Sequence, residues 1–154
     1  MIIRILWQST LLLGLAAASA WATWRWHPDR PELYLTGEAA SSPDEITVAE
    51  ALTQGKKKTL VWLDARPRAE FDKGHIPEAL LLNMYEWEDL VPPVIVLLDS
   101  LKPETTLMVI YCDSPKCSAS HDVAERMKSL PLGDWDIRVL HGGWPAWQTK
   151  SKGK

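Results

Sequence analysis

Two stretches of this chain, TLVWLDAR at 59–66 and TLMVIY at 106–111, run apolar without the alternation that a half-exposed strand would show. A strand of that kind must be covered on both faces, which is the situation of a parallel sheet sandwiched between helices. The segments between them supply the cover. ITVAEALTQGKKK reads as a short strand entering a small helix, with Thr47 as N-cap, Gly55 as stop, and Lys56–Lys58 as a solvated turn. RAEFDKGHIPEA begins as a helix and breaks at Gly74 and Pro77 before a second apolar run, LLLN. PPVIVLLDSL at 92–101 places proline at a helix start. SASHDVAERMKSL at 118–130 sets Ala119, Val123, Met127 and Leu130 on one helical face, with Ser118 as its cap. DIRVL is a last strand, followed by HGGWPAW. Strands alternating with helices predict an α/β fold with a central, mainly parallel sheet flanked by helices.

The 154 residues hold one such domain and an appendage. From Ile5 to Trp24 the chain carries twenty residues without a charge, enough for a helix to cross roughly 30 Å of hydrocarbon. Arg4 and Arg25 flank this stretch, and Trp21, Trp24 and Trp26 stand where indole rings favour the headgroup layer. The expected organisation is a membrane anchor or signal segment at 1–26, a linker at 27–43 and a folded domain at 44–150. The adopted reading is a single-pass anchor with the domain facing the periplasm. The alternative is secretion to the periplasm after cleavage near Ala18-Ser19-Ala20. A net charge of −3 offers no basic face, so nucleic acid is set aside as a partner.

The chain has two cysteines, Cys112 and Cys117, in the single loop YCDSPKCSAS. Cys112 directly follows the strand TLMVIY and precedes a helix, the place where α/β sheets gather ligands. The loop from Asp113 through Ser114 and Lys116 to Ser118 can wrap amides around the Cys112 sulfur, and the helix amino end adds positive charge. Both effects favour thiolate, as does Lys116, whereas Asp113 opposes it and Pro115 has no N–H to give.

These segments together resemble the rhodanese-like sulfurtransferase family across residues 44–148. LVWLDAR is similar to that family's strand ending in Asp-x-Arg, here Asp64 and Arg66. EFDKGHIPEA is similar to its Gly-His-Ile-Pro segment, here Gly74, His75, Ile76 and Pro77. VIYC resembles the strand that delivers its active cysteine, and VLHGGWPAW its closing Gly-Gly-aromatic stretch, here Gly142, Gly143, Trp144 and Trp147. The resemblance implies a parallel sheet flanked by helices and a Cys112 that accepts sulfane sulfur as a persulfide. A small sulfane-sulfur donor or a protein thiol would be the partner, and no cofactor or metal is required.

The chain departs from that pattern at two positions. Cys117 stands where the family commonly has arginine, and Glu78 where it commonly has glycine. Without the arginine the loop lacks the planar fork that holds an oxyanion such as thiosulfate or phosphate. Cys117 reads either as a resolving thiol that attacks a Cys112 adduct or as a small, soft residue filling the vacated space. A metal site from Cys112, Cys117 and His121 would remain short of four ligands. Arg66 is expected to face the pocket with the loop residues, while Asp64, Gly74, His75, Pro77, Gly142 and Gly143 build the architecture around it. Three functional readings stand: a sulfurtransferase, a thiol–disulfide module using both cysteines, and a binding domain that keeps only the fold.

Overall fold

The computed structural model describes Gln8 and residues 14–16, 18–19, 42–114 and 117–152. The chain divides into two compact units, Met1–Thr36 and Gly37–Lys154. The described residues of the first unit are helical. Most of the expected anchor at 1–26 and of the linker at 27–43 lies outside the described residues. Among those described, no helix is long and apolar enough to cross a membrane.

The second unit opens with strand β1 (Glu45–Ile46) and helix α1 (Val48–Gln54). It continues through β2 (Thr59–Asp64), α2 (Arg68–Lys73), β3 (Leu80–Leu81) and α3 (Trp87–Asp99). After a 3₁₀ turn at Pro103–Thr105 it closes with β4 (Thr106–Tyr111), α4 (Ala119–Ser129), β5 (Asp136–Leu140) and α5 (Gly143–Lys152). The strands form one five-stranded sheet in the order β1-β5-β4-β2-β3, and every pairing is parallel.

The uninterrupted apolar runs become the two central strands because both of their faces are covered. On one face Val61 and Leu63 of β2 and Met108 and Ile110 of β4 pack with Trp87, Val91, Val94 and Leu98 of α3 and Val123, Ala124 and Met127 of α4. On the other, Trp62, Leu107, Val109 and Tyr111 meet Val48 and Ala51 of α1, Ile76 and the partly buried Trp144 and Trp147 of α5. Alternate residues of one strand thus serve two cores.

Local signals set most helix limits. Thr47 and Glu50 form a reciprocal capping box at the start of α1, and Gly55 ends it. Two expectations are corrected. Helix α3 begins at Trp87, so Pro92 and Pro93 lie inside it and do not start it. Both prolines are exposed, where the helix carbonyls left without an N–H partner can be hydrated. Ser118 precedes α4 in helical conformation and makes no side-chain cap bond. Only its carbonyl engages the helix, accepting from the Asp122 N–H at 2.8 Å.

The register of β2 against β4 runs from Thr59 opposite Thr106 to Asp64 opposite Tyr111, so both strands end at the same level. The Ala65 N–H still reaches the Tyr111 carbonyl at 2.8 Å. The chain segments after Asp64 and after Tyr111 therefore emerge side by side, and the candidate residues lie at this edge.

Candidate active site

The first wall of the site is a corner built on Asp64, the last residue of β2. Arg66 turns back on it, Nε donating to Oδ1 at 2.9 Å and Nη2 to Oδ2 at 2.7 Å. Nη2 also donates to the Gly74 carbonyl at 2.7 Å, which ties the end of α2 to the sheet. The guanidinium lies over the Trp144 ring, 4.7 Å from its centroid, and Nη1 reaches Asp113 Oδ1 at 3.6 Å. Burial alone would make the guanidinium easier to deprotonate, but the bonds and charge of Asp64 outweigh it and hold the proton more tightly. Arg66 is 3% exposed and links the end of β2, the end of α2 and the Cys112 loop as a strut. Asp113, half exposed, has its carboxyl raised from the ordinary value by partial burial, against the opposing pull of Arg66.

Tyr111 fixes the next segment. Its hydroxyl accepts the Ile76 N–H at 3.1 Å, so the Gly74–Pro77 turn is anchored to the end of β4. His75 stacks on Phe71 at 3.9 Å and contacts the Phe71 carbonyl through Nδ1 at 3.0 Å. His75 and Pro77 are exposed parts of this turn. Glu78 follows with φ of 65°, a conformation that glycine adopts without cost and a side chain resists.

Cys112 is the first residue beyond β4, and the chain closes over it from behind. The Trp144 N–H donates to the Cys112 carbonyl at 2.8 Å. Gly143, with φ of 56°, approaches so closely that a Cβ there would stand 2.3 Å from that carbonyl oxygen. Gly142, at φ of 75°, makes the turn that allows this approach. The two glycines of HGGWPAW therefore dock α5 onto the cysteine backbone.

Cys112 is 2% exposed. Its thiol donates to the Ser114 carbonyl at 3.3 Å and points toward the Cys117 carbonyl at 3.7 Å. The Ser120 hydroxyl donates to it at 3.5 Å. Burial pushes the Cys112 thiol up to about 11, reinforced by the neighbouring Cys117 thiol and opposed by the Ser120 hydroxyl and the Ser114 amide. Among the described residues the loop amide that favours thiolate is that of Ser114. Two carbonyl oxygens take part in the surroundings of the sulfur, and they suit a thiol better than its anion.

Cys117 is half-buried beside the same core as Cys112, and both are free thiols. Its N–H donates to the Ser114 carbonyl at 3.1 Å, so the loop folds back on itself. Lys116 and Pro115 lie outside the described residues. His121 Nε2 lies 3.9 Å from Glu45 Oε1, and His141 Nδ1 lies 2.9 Å from Glu45 Oε2. His121 thus belongs to the β1–β5 edge.

Ser120 is the participant that sequence reasoning missed. A signal was there: Ser120 lies three, four and seven positions before Val123, Ala124 and Met127, the buried stripe of α4. A hydroxyl on such a stripe needs a partner, and the partner is Cys112.

The comparisons agree with this architecture. The model of the rhodanese-like domain family matches residues 47–150. No curated protein matches the chain. Among solved structures, a Saccharomyces cerevisiae protein described as a homolog of single-domain rhodanese and the Cdc25 phosphatase catalytic domain superposes with a TM-score of 0.55 at 16% identity, covering 69% of this chain and 80% of that one. A second yeast structure, described as a protein tyrosine phosphatase of the rhodanese family, gives 0.54 at 16% identity over 68% and 83% of the two chains. A rhodanese-related protein from Thermoplasma volcanium gives 0.49 at 18% identity over 69% and 91%. At these identities the two yeast structures speak for the fold alone, while the family model, spanning most of the chain, shows that this protein belongs to the rhodanese-like domain family.

Proposed function

We propose that this protein is a sulfurtransferase in which Cys112 accepts a sulfane sulfur as a persulfide and passes it to a thiol acceptor. The observation that carries the reading is the placement of one thiol just past the central strand, with the Cys112 carbonyl held by the Trp144 N–H and the sulfur facing the Ser114 carbonyl of its loop and the Ser120 hydroxyl of α4. A cysteine serving only the core would not need a hydroxyl aimed at its sulfur.

The chemistry of the loop narrows the donor. The stretch 111–120 contains no arginine, and Arg66 is engaged by Asp64, Gly74 and Asp113. A dianion such as a phosphate ester finds no bidentate partner beside the sulfur, so the phosphatase chemistry described for the yeast relative is disfavoured here. Thiosulfate is disfavoured for the same reason. Persulfides of small thiols or of a partner protein need no such fork and are the donors that fit. The thiol must lose its proton before it attacks, and that requires the Ser114 carbonyl to turn away as the donor enters.

Membrane attachment belongs to the same proposal. The twenty uncharged residues from Ile5 to Trp24 support a single-pass anchor that leaves the domain in the periplasm. Membrane fractionation and intact mass of the recovered chain test it; a soluble chain lacking its first residues would replace the anchor with a cleaved signal.

The test of the activity is a mass measurement. Incubation with a small-molecule persulfide under anaerobic conditions should add one sulfur to Cys112, lost on treatment with a thiol acceptor and absent in Cys112→Ser. No sulfur gain with several donors would end the sulfurtransferase reading and leave a binding domain.

A further inference from the structure

The loop brings its second thiol back to the first. The Cys117 N–H donates to the Ser114 carbonyl at 3.1 Å, and α4 begins two residues later at Ala119. The Cys117 carbonyl lies 3.7 Å from the Cys112 sulfur, and its side chain packs against the same core as Cys112. The two differ in exposure: Cys112 is buried, and Cys117 is half-buried at the rim.

We infer that Cys117 discharges the Cys112 persulfide as sulfide, making the domain a sulfane-sulfur reductase as well as a carrier. This rests on the persulfide reading above. In the first step the Cys112 thiolate attacks the outer sulfur of a persulfide R–S–SH; a bond forms to Cys112, the S–S bond of the donor breaks and R–S⁻ leaves. In the second, Cys117 gives up its proton and attacks the Cys112 Sγ. The Sγ–Sγ bond forms, the bond from Sγ to the outer sulfur breaks, and hydrosulfide leaves with the electron pair. The outer sulfur is reduced by two electrons and the two cysteines are oxidised to a disulfide. A dithiol reductant, by class, returns the pair to thiols through exchange.

The geometry favours this over simple storage of the persulfide. The Cys112 surroundings offer carbonyl oxygens at 3.3 and 3.7 Å, which suit a neutral thiol and oppose an anionic persulfide. Where a fixed arginine would hold such an anion, this chain places a second nucleophile.

The experiment uses the full chain, reduced, freed of reductant and mixed anaerobically with one equivalent of glutathione persulfide. Released sulfide is measured, and the cysteines are read by alkylation and peptide mass. The expected result is close to one sulfide per chain and a Cys112–Cys117 disulfide. Cys117→Ser should load sulfur on Cys112 and hold it, with sulfide release slowed at least tenfold. A wild-type chain that keeps its persulfide without releasing sulfide overturns the inference but leaves the transferase reading standing. Sulfur recovered on Cys117 also overturns it, by making Cys117 a relay. A Cys117→Ser chain that folds, by circular dichroism, yet takes no sulfur overturns both.

Discussion

Two structures meet at the mouth of the sheet, one on each central strand, and they are built on opposite principles. At the end of β2 the Asp64–Arg66 corner is held by short charged bonds of 2.7–2.9 Å and is closed to solvent. At the end of β4 the Cys112 loop is held around its sulfur by contacts of 3.3–3.7 Å that a small peptide rotation would undo. Register places the two side by side. The difference teaches that the two strand ends are separate devices: short charged bonds fix the Asp64–Arg66 corner, and long, weak contacts surround the Cys112 sulfur.

Removing the corner should have the largest effect. Arg66→Ala leaves Asp64 buried without a counter-charge, and breaking a buried pair costs about 3–5 kcal/mol. Urea unfolding should show that loss, and if the variant unfolds like the wild type the corner is not the rigid element. Next comes the point where the loop is docked. Gly143→Ala would press a methyl group against the Cys112 carbonyl and force a side chain into left-handed backbone, at about 3 kcal/mol. Its thermal midpoint should fall, and Cys112 should alkylate faster than in the wild type as the loop lifts.

The soft side is tested by pH. The Cys112 thiol is raised to about 11 in the folded chain, above its ordinary value of 9.0, so the folded state keeps a proton that the unfolded state has lost in between. Stability is fully present below about pH 9 and declines as pH rises through about 11, by at most about 3 kcal/mol. Cys112→Ser should flatten this decline, most clearly between pH 9 and 10, below the range where Tyr111, also raised by burial, begins to contribute. A smaller effect is expected from Ser120→Ala, which removes the hydroxyl that favours thiolate: iodoacetamide alkylation of Cys112 at pH 8 should slow by about fivefold, consistent with a net hydrogen bond of about 1 kcal/mol. An unchanged rate would assign Ser120 to packing alone. The smallest effect has the opposite sign. Glu78→Gly relieves a left-handed side chain next to the Gly74–Pro77 turn and should raise stability by about 0.5–1 kcal/mol in thermal unfolding.

Much of the fold was legible in the chain because it depends on local pattern. The apolar runs at 59–64 and 106–111 are the two central strands, Thr47 caps α1 and Gly55 ends it, and the break expected at Gly74 closes α2. The start of α3 is not legible locally, because proline is tolerated within a helix when the carbonyls it leaves without a partner can be hydrated, and exposure is not a local property. Ser118 does not cap α4 with its side chain because its backbone is already helical, which removes the geometry such a cap needs.

The sequence by itself determined the layered α/β architecture and the position of Cys112 at the end of a buried strand, since periodicity and strand termini are written in neighbouring residues. Only the tertiary structure decided that Arg66 is a strut, that Gly143 and Trp144 clamp the cysteine backbone from 31 and 32 positions away, and that the Cys112 thiol keeps its proton. These depend on which groups long-range packing brings to a sulfur or a guanidinium, and the balance between burial and hydrogen bonding exists only once those groups have met.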